Sequence, residues 1–158
     1  MTRLTRPVAL AVAAVLASGL TAGCSVTNPQ ETARYYMPSD GVEAQLGDGL
    51  VATNLLLLAE DAQSEAVLVA RVVNSGTEPA TVRITSTEAD VDVEVEVEPG
   101  QTYAVGGQDA DEQVTVDSLG VMPGQRLPMT VGADGAEPVQ VSVPVLDGTL
   151  PEYADLLP

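Results

Sequence analysis

Carboxylates are the most abundant side chains in this sequence that can bind an ion or carry a proton. One segment has an acidic residue at every second position, and this acidic row comprises Glu88, Asp90, Asp92, Glu94, Glu96 and Glu98. Calcium needs six to eight converging oxygens at about 2.3–2.6 Å, whereas alternate residues of a strand lie roughly 6.6 Å apart. Two interpretations stay open. The row is either a solvated strand face that resists edge pairing, or a face that binds a partner or a cation.

A second acidic group, Asp109, Asp111 and Glu112, follows the pair Gly106-Gly107. Its composition predicts a loop, which suits calcium better than a strand does. The group lacks the spaced Asp/Asn and Gly pattern of known calcium loops. We take these three residues as candidate metal ligands on residue type alone.

Histidine is absent from the sequence. This excludes Ser-His-Asp and Cys-His catalysis and the usual zinc and copper(II) sites. A carboxylate pair can serve a glycosidase. With 23 acids, however, some pair has a suitable separation by chance, and four Tyr with no Phe or Trp offer little platform for a sugar. We therefore expect a protein that is not an enzyme and uses no cofactor.

The formal net charge of the chain is −17, and all six cations are arginines. Two of them lie within the first six residues, which leaves Arg34, Arg71, Arg83 and Arg126. A domain so acidic repels nucleic acid phosphates and anionic headgroups. We expect no nucleic acid partner and no membrane binding through a basic patch.

The first 24 residues have the three parts of an export signal. Arg3 and Arg6 form a basic start, an apolar stretch runs from Pro7 to about Leu20, and small residues follow. The apolar stretch is too short for a bilayer span of about 20 residues. The sequence therefore predicts a signal peptide over residues 1–23.

The only cysteine closes that signal. Leu20-Thr-Ala-Gly-Cys24 resembles the lipobox of bacterial lipoproteins, which implies cleavage between Gly23 and Cys24, a diacylglyceryl thioether on Cys24 and acylation, such as palmitate, of the new amino terminus. Each buried CH₂ contributes ~0.8 kcal/mol, so two or three acyl chains hold a protein where one holds it marginally. We expect a lipid anchor on the extracytoplasmic face of the cell membrane. A plain signal peptide with a chance cysteine is the alternative.

Beyond the signal, the pattern of apolar residues predicts strands. Val91, Val93, Val95 and Val97 alternate with the acidic row, and only a period of two separates these sets. Other candidate strands are 49–59, 66–73, 80–85, 102–105, 113–117, 126–131 and 139–145. About eight short strands with Gly and Pro between them predict an all-β, immunoglobulin-like antiparallel β-sandwich. A hairpin turning through Thr87-Glu88 places Arg83 opposite Asp92.

The domain organisation follows from these segments. We assign residues 1–23 to the signal peptide, 24–40 to the lipidated cysteine and a tether, 41–150 to the sandwich and 151–158 to a C-terminal tail with one helical turn. Tyr35, Tyr36 and Met37 are unusual in a tether, and we expect them to pack on the domain or to form a docking patch for a partner.

Two stretches suggest a family. Gly47-Asp-Gly-Leu-Val-Ala-Thr-Asn-Leu-Leu-Leu-Leu58 and Val67-Leu-Val-Ala-Arg-Val-Val-Asn-Ser-Gly76, after a lipobox and tether, resemble the actinobacterial LpqE-like lipoproteins. The resemblance implies an extracytoplasmic β-sandwich distantly similar to periplasmic copper chaperones, which bind Cu(I) through His and Met. This chain has no His, and Met37, Met122 and Met129 do not form that motif.

The function that these observations favour is a membrane-anchored, non-enzymatic binding or scaffolding module of the cell envelope. Its expected partners are the membrane, through the lipid, and an envelope protein. The alternative is a metal-handling lipoprotein that binds Ca²⁺ at acidic loops, with Cu(I) at methionines as the weaker option.

Overall fold

The computed structural model describes residues 39–47 and 49–158. They belong to the second of two units, 1–37 and 38–158, into which the chain divides. The signal peptide, the cleavage site at Gly23 and Cys24, and the segment Tyr35–Met37 lie outside the described residues, so their assignments stay predictions. No helix in the described part is long and apolar enough to cross a membrane.

Nine strands and one helical turn make up the described chain. The strands are β1 (Val42–Gln45), β2 (Leu50–Ala59), β3 (Ala66–Asn74), β4 (Ala80–Ser86), β5 (Val91–Val97), β6 (Thr102–Val105), β7 (Thr115–Val116), β8 (Arg126–Ala133) and β9 (Val139–Leu146), and the turn is α1 (Pro151–Ala154). The all-β class and the helical turn are confirmed, and every predicted strand is present. The prediction missed β1, and β7 covers only two residues of the predicted strand 113–117.

The strands are hydrogen-bonded in the order β5-β4-β8-β9-β2-β3-β6, with β1 beside β2 and β7 beside β3. This arrangement is consistent with the predicted sandwich. One ladder departs from the antiparallel prediction: β2 and β9 are parallel, joining Leu57 and Leu58 to Val145 and Leu146. The β8–β9 hairpin brings β9 back in the direction of β2, and the two meet only after Pro144, which has no N–H to donate.

The leucines of β2 face two sides because side chains alternate along a strand, and a bulge sets which of them face the main core. The register with β3 shifts between Thr53 and Leu56, and Asn54 has a φ of 52°, a conformation that non-glycine residues rarely adopt. Leu55 and Leu57 enter the main core, whereas Leu56 and Leu58 enter a second cluster. The continuous apolar run of β2 therefore supplies two cores.

The second cluster lies under the C-terminal segment. Leu56, Leu58 and Val67 are buried there, and the partly buried residues packed on them are Val69, Leu146, Tyr153, Leu156 and Leu157. Residues 151–158 are thus packed on the sandwich and cover a face of β2 and β3 that is apolar.

Candidate functional site

The acidic row lies at one end of the strand order, on β5 and the residues beside it. Asp92, Glu94 and Glu96 are exposed and alternate with the buried valines 91, 93, 95 and 97. Glu88 and Asp90 are in the preceding turn and Glu98 follows the strand. The alternation is confirmed, but only three of the six acids share one strand face.

The ion pair between Arg83 and Asp92 is bidentate. Nε and Nη2 of Arg83 donate to the two carboxylate oxygens of Asp92 at 2.7 and 2.5 Å. These hydrogen bonds raise the pKa of Arg83 and lower that of Asp92. Because both side chains are more than half exposed, the pair contributes little to stability.

The backbone register around this pair differs from the predicted one. Arg83 lies opposite Glu94, and Thr85 lies opposite Asp92. The turn spans residues 87–90 rather than Thr87-Glu88 alone, which shifts the register by two residues. The predicted opposition was wrong, and the pair forms diagonally because arginine is long enough to reach the next acid on its face.

The carboxylates after Gly106-Gly107 make local hydrogen bonds. Asp111 accepts from the Ala104 amide at 2.7 Å, and Glu112 accepts from the Tyr103 hydroxyl at 3.2 Å. Desolvation and then this bond to Glu112 raise the pKa of Tyr103. Asp109 is exposed. Within the described ranges no three Asp, Glu, Cys or His residues are grouped so as to hold a metal, and a metal role for Asp109, Asp111 and Glu112 stays a prediction.

The methionines do not provide a copper site in the described part of the chain. Met129 is 2% exposed inside the core, whereas Met122 is 51% exposed on the loop before β8. Soft thioethers are suitable Cu(I) ligands, but these two occupy different environments, and histidine is absent from the sequence. The residues present do not fit Cu(I) held by His and Met.

An open cavity of about 780 Å³ lies where the β1–β2, β3–β4 and β8–β9 loops meet. Leu46, Leu50 and Val139 form an apolar part of its lining, and the carboxylates of Glu78, Asp134 and Glu137 are also part of it. The composition of Ser75-Gly-Thr-Glu-Pro79 indicates a turn, but nothing in the local sequence shows that it meets residues 134–139. Sequence reasoning therefore missed this site.

Asn74 fixes the β3–β4 loop and joins it to the end of β5. It is 2% exposed and is the one buried polar residue in the described ranges. Its Nδ2 donates to the carbonyl oxygens of Glu78 and Val97 at 2.8 and 2.9 Å, and its Oδ1 accepts from the Gly76 amide at 2.9 Å. The Ser75 amide donates to the Gly49 carbonyl at 2.6 Å. The cavity walls are thus fixed by hydrogen bonds.

Tyr153 joins the C-terminal turn to the start of the described chain. Its hydroxyl donates to Asp40 at 2.7 Å. Desolvation, followed by this hydrogen bond, raises the pKa of Tyr153 to about 12.

No protein-family model and no curated protein matches this chain. Among solved structures, the chain is similar to the apo PmoF2 PCuAC domain, with a TM-score of 0.55 and 17% identity, over 68% of this chain and 97% of that one. The copper-bound PCuAC domain from PmoF2 has a TM-score of 0.49 and 19% identity, over 66% and 97% of the two chains. The apo domain shows a shared fold, which confirms the predicted distant structural similarity to copper chaperones.

Proposed function

We propose that this chain is a non-enzymatic binding domain that serves metal handling in the cell envelope by docking onto another protein. The observation that carries the proposal is a copper-chaperone fold without the residues that hold copper. In this account the domain recognises a metal-carrying partner and does not carry the metal itself.

The likeness to the PCuAC domain favours metal handling over a plain scaffold. A fold does not fix a function, because function depends on the site that a fold presents. The described site lacks the His and Met ligands, and its carboxylates form no group suited to a metal. What persists is a rigid sandwich with acidic loops and an acidic strand, which suits protein recognition.

The proposed location is the extracytoplasmic face of the membrane, with a lipid on Cys24. The support is the sequence Leu20–Cys24 together with the basic and apolar segments before it. We also propose that the chain is an LpqE-like lipoprotein, on the basis of segments 47–58 and 67–76. An acidic domain does not bind anionic headgroups by charge, so the acyl chains must hold it there.

Direct cation binding through carboxylates is a second candidate, which the net charge of −17 favours. Calcium is the cation suited to such oxygens. It requires backbone oxygens or loop movement to complete the coordination, because the described carboxylates are not grouped in threes.

Metal titration of the thermal unfolding of the lipidated protein in detergent separates these candidates. A ligand that binds only the native state stabilises it by RT ln(1 + [L]/Kd). The docking proposal predicts that Ca²⁺ gives no greater rise in Tm than Mg²⁺ at matched ionic strength, and that Cu(I) gives no saturable rise. A saturable rise with Ca²⁺ alone, abolished by Asp109→Asn with Asp111→Asn, would instead establish the second candidate.

A further inference from the structure

We propose that the cavity between the β1–β2, β3–β4 and β8–β9 loops binds a lysine or arginine side chain presented by a protein partner. The inference rests on the docking function proposed above and names the surface and the chemistry that the partner offers.

The lining matches such a side chain in both of its parts. Lysine and arginine have an aliphatic stem and a charged end, and the stem packs on apolar surface when the end finds water or an opposite charge. Leu50 and Val139 are partly buried parts of the lining and supply the apolar surface. Glu78, Asp134 and Glu137 are exposed parts of the same lining and supply the negative charge.

These three carboxylates have no counter-charge within the described chain. None of the lining residues is basic. Of the three described arginines, Arg83 is paired with Asp92, Arg126 donates to the Ser142 carbonyl, and Arg71 lies on β3 outside the cavity lining. The cavity is therefore a concentration of negative charge that attracts a cation from outside these residues.

The size and the geometry favour an organic cation over a metal ion. A volume of about 780 Å³ accommodates a long side chain and neighbouring backbone, whereas a metal ion needs several oxygens converging within about 2.6 Å. Glu78, Asp134 and Glu137 come from two separate loops and are not grouped as metal ligands.

The β3–β4 wall of the cavity is held in place before any partner arrives. Asn74 bonds both ends of the Gly76–Glu78 segment, and the Ser75 amide bonds Gly49 in the neighbouring loop. A binding surface whose loops are already fixed loses less conformational entropy when it is occupied. This fixed geometry distinguishes the cavity from the acidic row on β5, which is a flat strand face.

The test is an NMR titration of the full chain in detergent with three capped tripeptides, Gly-Lys-Gly, Gly-Arg-Gly and Gly-norleucine-Gly. We expect saturable shifts of the Gly76, Gly135 and Ala136 amides with a basic peptide, with a Kd on the order of millimolar, and weaker binding at higher salt. The norleucine peptide keeps the stem without the charge, and its binding should be at least about tenfold weaker.

Two matched variants localise the binding. Glu78→Gln with Asp134→Asn and Glu137→Gln should weaken the Lys or Arg peptide about tenfold. Glu94→Gln with Glu96→Gln and Glu98→Gln removes the same charge from β5 and the residue after it, and should leave the affinity within about twofold. NMR spectra of the two variants without peptide should superimpose on the spectrum of the unchanged chain away from the substituted residues, which establishes that both variants are folded.

The proposal is overturned if both variants weaken binding equally, if norleucine binds as well as lysine and arginine do, or if the shifts map away from the cavity. Absence of peptide binding also overturns it. The docking function is tested separately, by the metal titration and by in-cell crosslinking of the protein to its partner. Failure of the cavity proposal is therefore distinguishable from failure of the proposed function.

Discussion

Asn74 shows how one buried amide organises a whole end of the sandwich. It terminates β3, and its side chain makes three hydrogen bonds, to the β3–β4 loop at Glu78 and Gly76 and to the end of β5 at Val97. Buried polar groups are costly unless they are paired. Here the pairing fixes the β3–β4 loop, which lines the cavity, against the end of β5.

Asn74→Ala is expected to lower the free energy of unfolding by about 2–4 kcal/mol, because two carbonyls and one amide lose their partner in a buried site. Urea denaturation measures the change. Gln140→Ala, at an exposed position of β9, serves as the control and should leave stability nearly unchanged. A loss for Asn74→Ala no larger than that of the control would contradict the role given to this amide.

Tyr153 makes the stability of the fold depend on pH in alkaline solution. Its folded pKa of about 12 lies above the usual tyrosine value of 10.0, so the native state favours the neutral phenol. The contribution to stability is complete below pH 10 and is lost as the pH rises toward 12. Ultraviolet absorbance of tyrosinate should show a component that titrates near pH 12, and Tyr153→Phe should remove it. Loss of an early-titrating tyrosine instead would refute the assignment.

At the scale of elements, the two faces of β5 differ in what they contribute to stability, because one face packs in the core and the other is exposed. Val95→Ala should destabilise the fold by roughly 1.5–3 kcal/mol, since it opens a space in the core between the sheets. Glu94→Gln on the exposed face is expected to cause no measurable loss. Chemical denaturation of both variants in the same buffer measures their free energies of unfolding. An equal loss of stability in the two variants would mean that β5 is not packed as described.

The C-terminal segment completes the domain by covering the second apolar cluster. Replacing Leu156 and Leu157 by Asp should separate the segment from Leu56 and Leu58 and expose them. We expect a lower Tm and increased binding of a hydrophobic dye, because buried apolar surface returns to water. Glu152→Gln with Asp155→Asn changes two exposed acids of the same segment. This control variant should neither lower the Tm nor increase dye binding. An unchanged Tm in the leucine variant would show that the cover is dispensable.

How far the sequence predicts this fold depends on the range of the interactions involved. Alternation over Val91–Val97 predicted β5 and its faces, because a period of two is a local property of a strand. The run at Leu55–Leu58 predicted a buried strand but not the bulge at Asn54, which depends on the register with β3. The cavity was missed for the same reason: Glu78 and Asp134 are distant in sequence and meet only through the sheet order.

At the scale of the whole molecule, the chain combines the fold of a PCuAC domain with a composition that has no histidine. The fold is shared with the apo PmoF2 PCuAC domain, while histidine is absent and Met129 is enclosed in the core. The sequence predicted this combination, because residue types are explicit in it. Which surface receives a partner required the structure.

The most direct test of the docking account is in-cell crosslinking of the tagged, lipidated protein in its native host, followed by metal analysis of the recovered partner. The account predicts one specific partner that contains bound metal, recovered from the membrane fraction and lost with Cys24→Ala, which removes the proposed anchor. Recovery of no specific partner from protein confirmed in the membrane fraction, or of a partner without metal, would contradict the account.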